Sequence, residues 1–120
     1  MKRAAIVVLA LMMALPLAAA PKSVEIAYGK SARACGLTIT FAELIQESRC
    51  PKTVTCVWAG VGEIRIVVKK GRKSESLKIS TREAQAKAFG HTLTLASLDP
   101  YPEEPGTRDP KEYRATITVE

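Results

Sequence analysis

The strongest constraint on the fold is a period of two. In "GLTITFAELIQE" (36–47), Leu37, Ile39 and Phe41 alternate with Thr38 and Thr40. In "CVWAGVGEIRIVVKKG" (56–71), Cys56, Trp58, Ile64, Ile66 and Val68 share one parity, and Glu63, Arg65 and Lys69 the other. Successive side chains of a strand point to opposite faces, so each stretch reads as a strand with one face in a core. The first alternation slips at Ala42-Glu43, because Leu44 is the next apolar residue; a β-bulge there lets the strand continue. Gly60 and Gly62 suit a bend or bulge in the second. Val24–Tyr28, "SESLKIS" (74–80), "HTLTLASL" (91–98) and "YRATITVE" (113–120) are further strands, the last apolar at Ala115, Ile117 and Val119.

Between them the character changes. Lys70 to Lys73, around Gly71, is a turn. In "STREAQAKAFG" (80–90), Ser80 and Glu83 fit a capping box, Ala84 and Ala88 lie one helical turn apart, and Gly90 sits where a C-cap would, so one or two helical turns are expected. Asp99 to Pro110 holds four of the chain's seven prolines and reads as a long surface loop. Six or seven short strands at this spacing, with one short helical turn, indicate an antiparallel, immunoglobulin-like β-sandwich; a small open barrel is the alternative.

One internal echo stands out. "GLTITFAEL" (36–44) and "GHTLTLASL" (90–98) share five of nine residues. Both read as strands, apolar at 39/93 and 41/95 and bulged before Leu44 and Leu98.

The first twenty residues differ from the rest. Met1-Lys2-Arg3 is basic, Ala4 to Leu15 has no polar residue, Pro16 breaks the run, and small residues follow to Ala20. That order is a secretory signal, with cleavage preferred after Ala19 over Ala20 because Pro21 makes a poor first residue. The apolar run is short of the roughly 20 residues a spanning helix needs. No stable membrane insertion is expected after cleavage, and residues 21–120 form a single domain in the periplasm or outside the cell. Without Lys2 and Arg3 the chain carries 16 basic and 12 acidic residues, net +4. The basic residues are dispersed apart from Lys69, Lys70, Arg72 and Lys73, which read as a solvated turn, and no nucleic-acid partner is expected.

Three cysteines remain to be placed. Cys35 and Cys50 flank a strand that spans roughly 33 Å when extended, whereas a disulfide needs Cα atoms within about 7 Å. Cys50 and Cys56 close the short loop "CPKTVTC", stiffened by Pro51, and an exported chain meets an oxidising compartment. A Cys50–Cys56 disulfide with Cys35 free follows, clipping the end of the 37–47 strand to the start of the 56–69 strand. Trp58 shares the parity of Cys56 and is expected to plug the core beside the sulfurs. Redox chemistry would favour C-x-x-C. Zinc held by Cys35, Cys50, Cys56 and His91 has the right ligand count without the usual pair spacing, and copper would want more His or Met. His91 reads as an exposed strand-edge residue, and no metal or cofactor is expected.

Around these cysteines the chain resembles small exported bacterial β-domain proteins that carry "DSRCP", then "C-x-WAG", then "P-x-P". The matching residues are Glu47-Ser48-Arg49-Cys50-Pro51, Cys56-Val57-Trp58-Ala59-Gly60 and Leu98-Asp99-Pro100-Tyr101-Pro102. Glu47 departs from the usual Asp. The resemblance implies a β-rich periplasmic or surface domain and no catalytic residue.

The lone His has no evident nucleophile partner, and there is no phosphate loop or nucleophile elbow, so an enzyme is not expected. The candidate binding spot is Glu47, Ser48, Arg49, Lys52 and Thr53, held rigid by the disulfide. The expected function is a non-enzymatic binding or structural module for a protein or envelope component. The alternative is a protease-inhibitor-like domain presenting the Cys50–Cys56 loop, with Lys52-Thr53-Val54 at its centre.

Overall fold

The structure is a computed structural model that describes residues 20–106 and 108–120. The signal segment expected over residues 1–20 lies outside the described residues apart from Ala20. Eight strands form: β1 (Lys22–Ala27), β2 (Ser31–Ala34), β3 (Leu37–Glu47), β4 (Gly62–Lys70), β5 (Lys73–Ser80), β6 (Gln85–Ala88), β7 (His91–Asp99) and β8 (Arg114–Val119). They make two antiparallel four-stranded sheets, ordered β1-β8-β7-β6 and β2-β3-β4-β5. Buried side chains of both sheets form one core, among them Ile26, Leu37, Phe41, Ile66, Leu93 and Ile117. The molecule is therefore the expected antiparallel β-sandwich, in which β2 to β5 form a meander and β6 to β8 another, with β1 added to the outer edge of β8.

The alternation read from the sequence is the alternation of burial. In β4, Gly62, Ile64, Ile66 and Val68 are buried, while Glu63, Arg65 and Val67 are only half covered. Removing each such Ile or Val from water contributes roughly 1.5–3 kcal/mol. Two strands had no such signal. β2 and β6 are four residues long and present mainly Ala to the core.

Three expectations are corrected. Residues 80–90 are not helical. Ser80 Oγ does accept the Glu83 amide at 2.8 Å, half of a capping box, but the chain then runs out as β6, paired from Gln85↔Thr94 to Ala88↔His91. A spacing of four suits a strand face as well as a helix face, and the open edge of β7 decides between them. The only helical turn among the described residues is a 3₁₀ turn at Pro110–Glu112. Next, β4 begins at Gly62, not Cys56. Trp58 consequently lies in a loop, where strand parity carries no meaning, and it is 83% exposed instead of plugging the core.

The internal echo is a structural repeat. Over 32–44 and 86–98, seven of thirteen residues are identical, at every second position. Both stretches begin as hairpins with a two-residue turn. Cys35 and Gly36 have φ of 52° and 76°, and Phe89 and Gly90 have 50° and 77°. Two successive positive φ values define the type I′ turn, whose twist matches that of the flanking strands and whose second position favours Gly. Both long strands then bulge at the same place. The register shifts between Phe41 and Glu43 against β4, and between Leu95 and Ser97 against β8. β4 and β8 are equivalent, with Ile66 facing Phe41 as Ile117 faces Leu95. The fourth strands differ in origin. β5 follows β4 directly, whereas β8 is completed by β1 from the other end of the chain, with Lys22 opposite Val119.

Candidate functional site

Beyond the bulges, β3 and β7 each feed a loop, residues 48–61 and 100–113, and these loops meet at one end of the sandwich. Arg49 joins them. Its Nε and Nη2 donate to the Glu47 carboxylate at 2.9 and 2.7 Å, its Nη1 to the Leu98 carbonyl at 2.8 Å, and Nη2 again to the Pro100 carbonyl at 3.1 Å. The Tyr101 ring lies 4.9 Å from the guanidinium carbon, and its hydroxyl donates to the Cys50 carbonyl at 2.8 Å. A planar five-donor group can tie a carboxylate and two carbonyls at once; an ammonium cannot.

The pair is mostly withdrawn from water, with the Arg49 side chain 8% exposed and Glu47 17%. Burial by itself would raise the Glu47 pKa, but the Arg49 hydrogen bonds and charge outweigh it and hold the carboxyl below its ordinary value. Burial likewise opposes the charge on Arg49, and Glu47 more than restores it. Tyr113, at the end of the second loop, is 1% exposed. Burial and the nearby Glu47 carboxylate push its hydroxyl above the usual phenol value.

Ser48 performs a parallel task on the other side of the strand end. Its amide donates to the Val61 carbonyl at 2.8 Å, and its Oγ accepts the Val61 amide at 2.9 Å. Gly60 makes this closure possible, since a Cβ there would collide with the Ser48 carbonyl. The Cys50–Cys56 disulfide, with Cα atoms 5.9 Å apart, forms as expected but closes a loop outside the sheet. Cys35 is free and exposed in the β2–β3 turn, eleven strand residues from this end. His91 opens β7, half-buried, with Nδ1 3.2 Å from the Glu120 carbonyl.

The expected binding spot therefore divides in two. Glu47, Ser48 and Arg49 are brought together, but their polar atoms are committed to the protein's own backbone and to each other. Lys52 and Thr53 are exposed side chains on a turn. The turn closes through the Val54 amide and Pro51 carbonyl at 3.3 Å, and the Lys52 and Thr53 amides are bound to the Pro102 and Glu103 carbonyls. The Lys52, Thr53 and Val54 amides of the loop that the protease-inhibitor alternative would present are thus engaged within the protein.

What the site presents outward is Val57, 91% exposed, and Trp58, 83% exposed, with Val54 of the same loop at 41%. A shallow cleft runs from Trp58 between Gln46 and Arg82. Arg82 Nη2 donates to the Ala59 carbonyl at 3.0 Å, and Gln46 Nε2 to Ser48 Oγ at 3.0 Å. Arg82 carried no signal in the sequence, because it reaches the site from a distant segment, and Tyr101 stood only within the P-x-P stretch, with no role assigned to it. Tyr113 had one: it shares the parity of Ala115, Ile117 and Val119.

No protein-family model, curated protein or solved structure matches the chain. A disulfide in a small all-β domain fits an oxidising, exported location.

Proposed function

We propose that this chain is an exported, non-enzymatic binding module of the periplasm or cell envelope, and that the loop 48–61 is its contact surface with Trp58 at the centre. The observation that carries this reading is an exposed indole on a loop pinned at both ends. Cys56 is tied to Cys50 two residues before it, and Gly60–Val61 is tied to Ser48 just after it. Leaving a large apolar side chain in water forgoes roughly 1.5–3 kcal/mol of burial. Fixing it there lowers the ordering cost of binding, which is what a contact residue needs. The exported location rests on the leader-like N-terminus, the disulfide and the resemblance around "ESRCP" and "CVWAG".

The first check is optical. Trp58 is the chain's one Trp, so iodide should quench the native emission as fully as that of the urea-unfolded chain. The second check is functional: the protein should co-sediment with cell envelopes of the producing organism, and Trp58→Ala should abolish this without changing the thermal midpoint. Equal sedimentation of the variant would overturn the reading.

A further inference from the structure

We infer that the ligand of the Trp58 surface is a neutral saccharide, stacked through its C–H face on the indole. This deepens the binding-module reading and rests on it. Carbohydrates ask for two things together: a flat aromatic face against their axial C–H groups, and polar side chains around its rim that both donate and accept hydrogen bonds. The ribbon Trp58-Ala59-Gly60 has both.

On one side the cleft between Gln46 and Arg82 supplies an amide, which donates and accepts, and a guanidinium, which only donates. The single Arg82 bond to the Ala59 carbonyl orients that group and leaves its other N–H donors for a ligand. A second cleft, which shares the Ala59–Gly60 backbone with the first but not Trp58, is lined by Thr81, Ser97 and Asp99 among others. There Ser97 Oγ donates to Asp99 Oδ2 at 3.1 Å, which leaves the other carboxylate oxygen as an acceptor. A ligand crossing the ribbon would meet donors on one flank and acceptors on the other.

Charge argues for a neutral chain. Arg82 and Asp99 cancel, and Lys52 lies on the turn whose amides bind the Pro102–Glu103 backbone, beside Glu103 and Glu104. An anionic lipid surface would want a one-signed basic rim around the apolar tip, which this loop lacks. A protein partner would want a broader apolar core around the Trp than two Val residues provide.

The test uses the folded chain and named sugars: tetrasaccharides of β-1,4-glucose, β-1,4-N-acetylglucosamine and α-1,4-glucose, with polygalacturonate as an anionic control. At least one neutral sugar should blue-shift Trp58 emission and shield it from iodide at about 10 mM, tenfold above the roughly 1 mM constant of a weak site. Trp58→Ala should abolish chemical-shift changes at the Gln46 side-chain amide, and Arg82→Ala and Asp99→Asn should each weaken binding at least about threefold, roughly 0.7 kcal/mol. None of these three surface changes should shift the thermal midpoint. Silence with every sugar, or binding of polygalacturonate alone, would overturn the saccharide assignment. Trp58-dependent sedimentation with envelopes would then leave the module reading standing with another ligand, whereas loss of both signals sinks both.

Discussion

The two loops that meet at one end of the sandwich follow equivalent bulged strands and are each fourteen residues long, 48–61 and 100–113. They are stiffened by opposite means. The first has the Cys50–Cys56 disulfide and the Ser48–Val61 bonds. The second has Pro100, Pro102, Pro105 and Pro110, a 3₁₀ turn capped by Asp109, and an Arg108–Glu112 ion pair at 2.9 Å. Both devices restrict the unfolded chain as much as they brace the folded one. The loops also treat their aromatics oppositely: the first displays Trp58, and the second turns Tyr113 into the core. On the proposed binding-module function, one half of the repeat serves recognition and the other stability, with Arg49 among the groups that couple them.

The sharpest break of that comparison is a pair of truncations. Tyr113→Ala should cost about 3–5 kcal/mol, as buried aromatics do, while Trp58→Ala should stay within about 0.5 kcal/mol, as exposed positions do. Urea unfolding of both variants decides it; equal losses would erase the division of labour between the loops.

Arg49→Ala comes next. It leaves the Glu47 carboxylate partly buried without its cation and frees the Leu98 and Pro100 carbonyls, so a loss of about 3 kcal/mol is expected. The same pair gives a pH signature. Glu47 titrates lower in the folded protein than in the unfolded chain, so its contribution is fully present above the unfolded pKa and is lost as pH falls through the folded one. The stability gap between wild type and Glu47→Gln should therefore narrow below about pH 4.5. A gap that widens in acid would show that the carboxylate is not stabilised by Arg49.

Replacing Cys50 and Cys56 together by Ser should cost about 2 kcal/mol, because the closed loop is short. Hydrogen exchange should rise at Thr53 and Val54 and remain unchanged in the proline-bearing loop. Coupled loosening of both loops would mean that the Lys52–Pro102 and Thr53–Glu103 backbone bonds, more than Arg49, carry their contact.

The smallest expected effect tests the repeat itself. A permutant that begins at Ser31 and joins Glu120 to Pro21 through a short glycine linker would make β1 follow β8 as β5 follows β4. Because Lys22 lies opposite Val119, the new connection is short, and stability should stay within about 1 kcal/mol of the parent. A permutant with altered far-ultraviolet circular dichroism would show that β1 and β5 are not equivalent.

Much of this architecture was legible in the residues. Leu37, Ile39 and Phe41, or Leu93 and Leu95, state their burial by alternation. The slips at Ala42 and Ala96 announce two equivalent bulges, and the reach of a strand separates Cys35 from the Cys50–Cys56 pair. These are local properties, carried by the geometry of a continuous strand. Three others belonged to the tertiary structure. Gln85 to Ala88 became a strand because the edge of β7 was there to pair with. Arg49 turned inward because the Leu98 and Pro100 carbonyls, contributed by the other half of the repeat, needed a donor. Trp58 left the core because parity is transmitted only along an unbroken pleat: once the chain departs β3 at Glu47, nothing local fixes which way a side chain points until the Ser48–Val61 bonds bring it back.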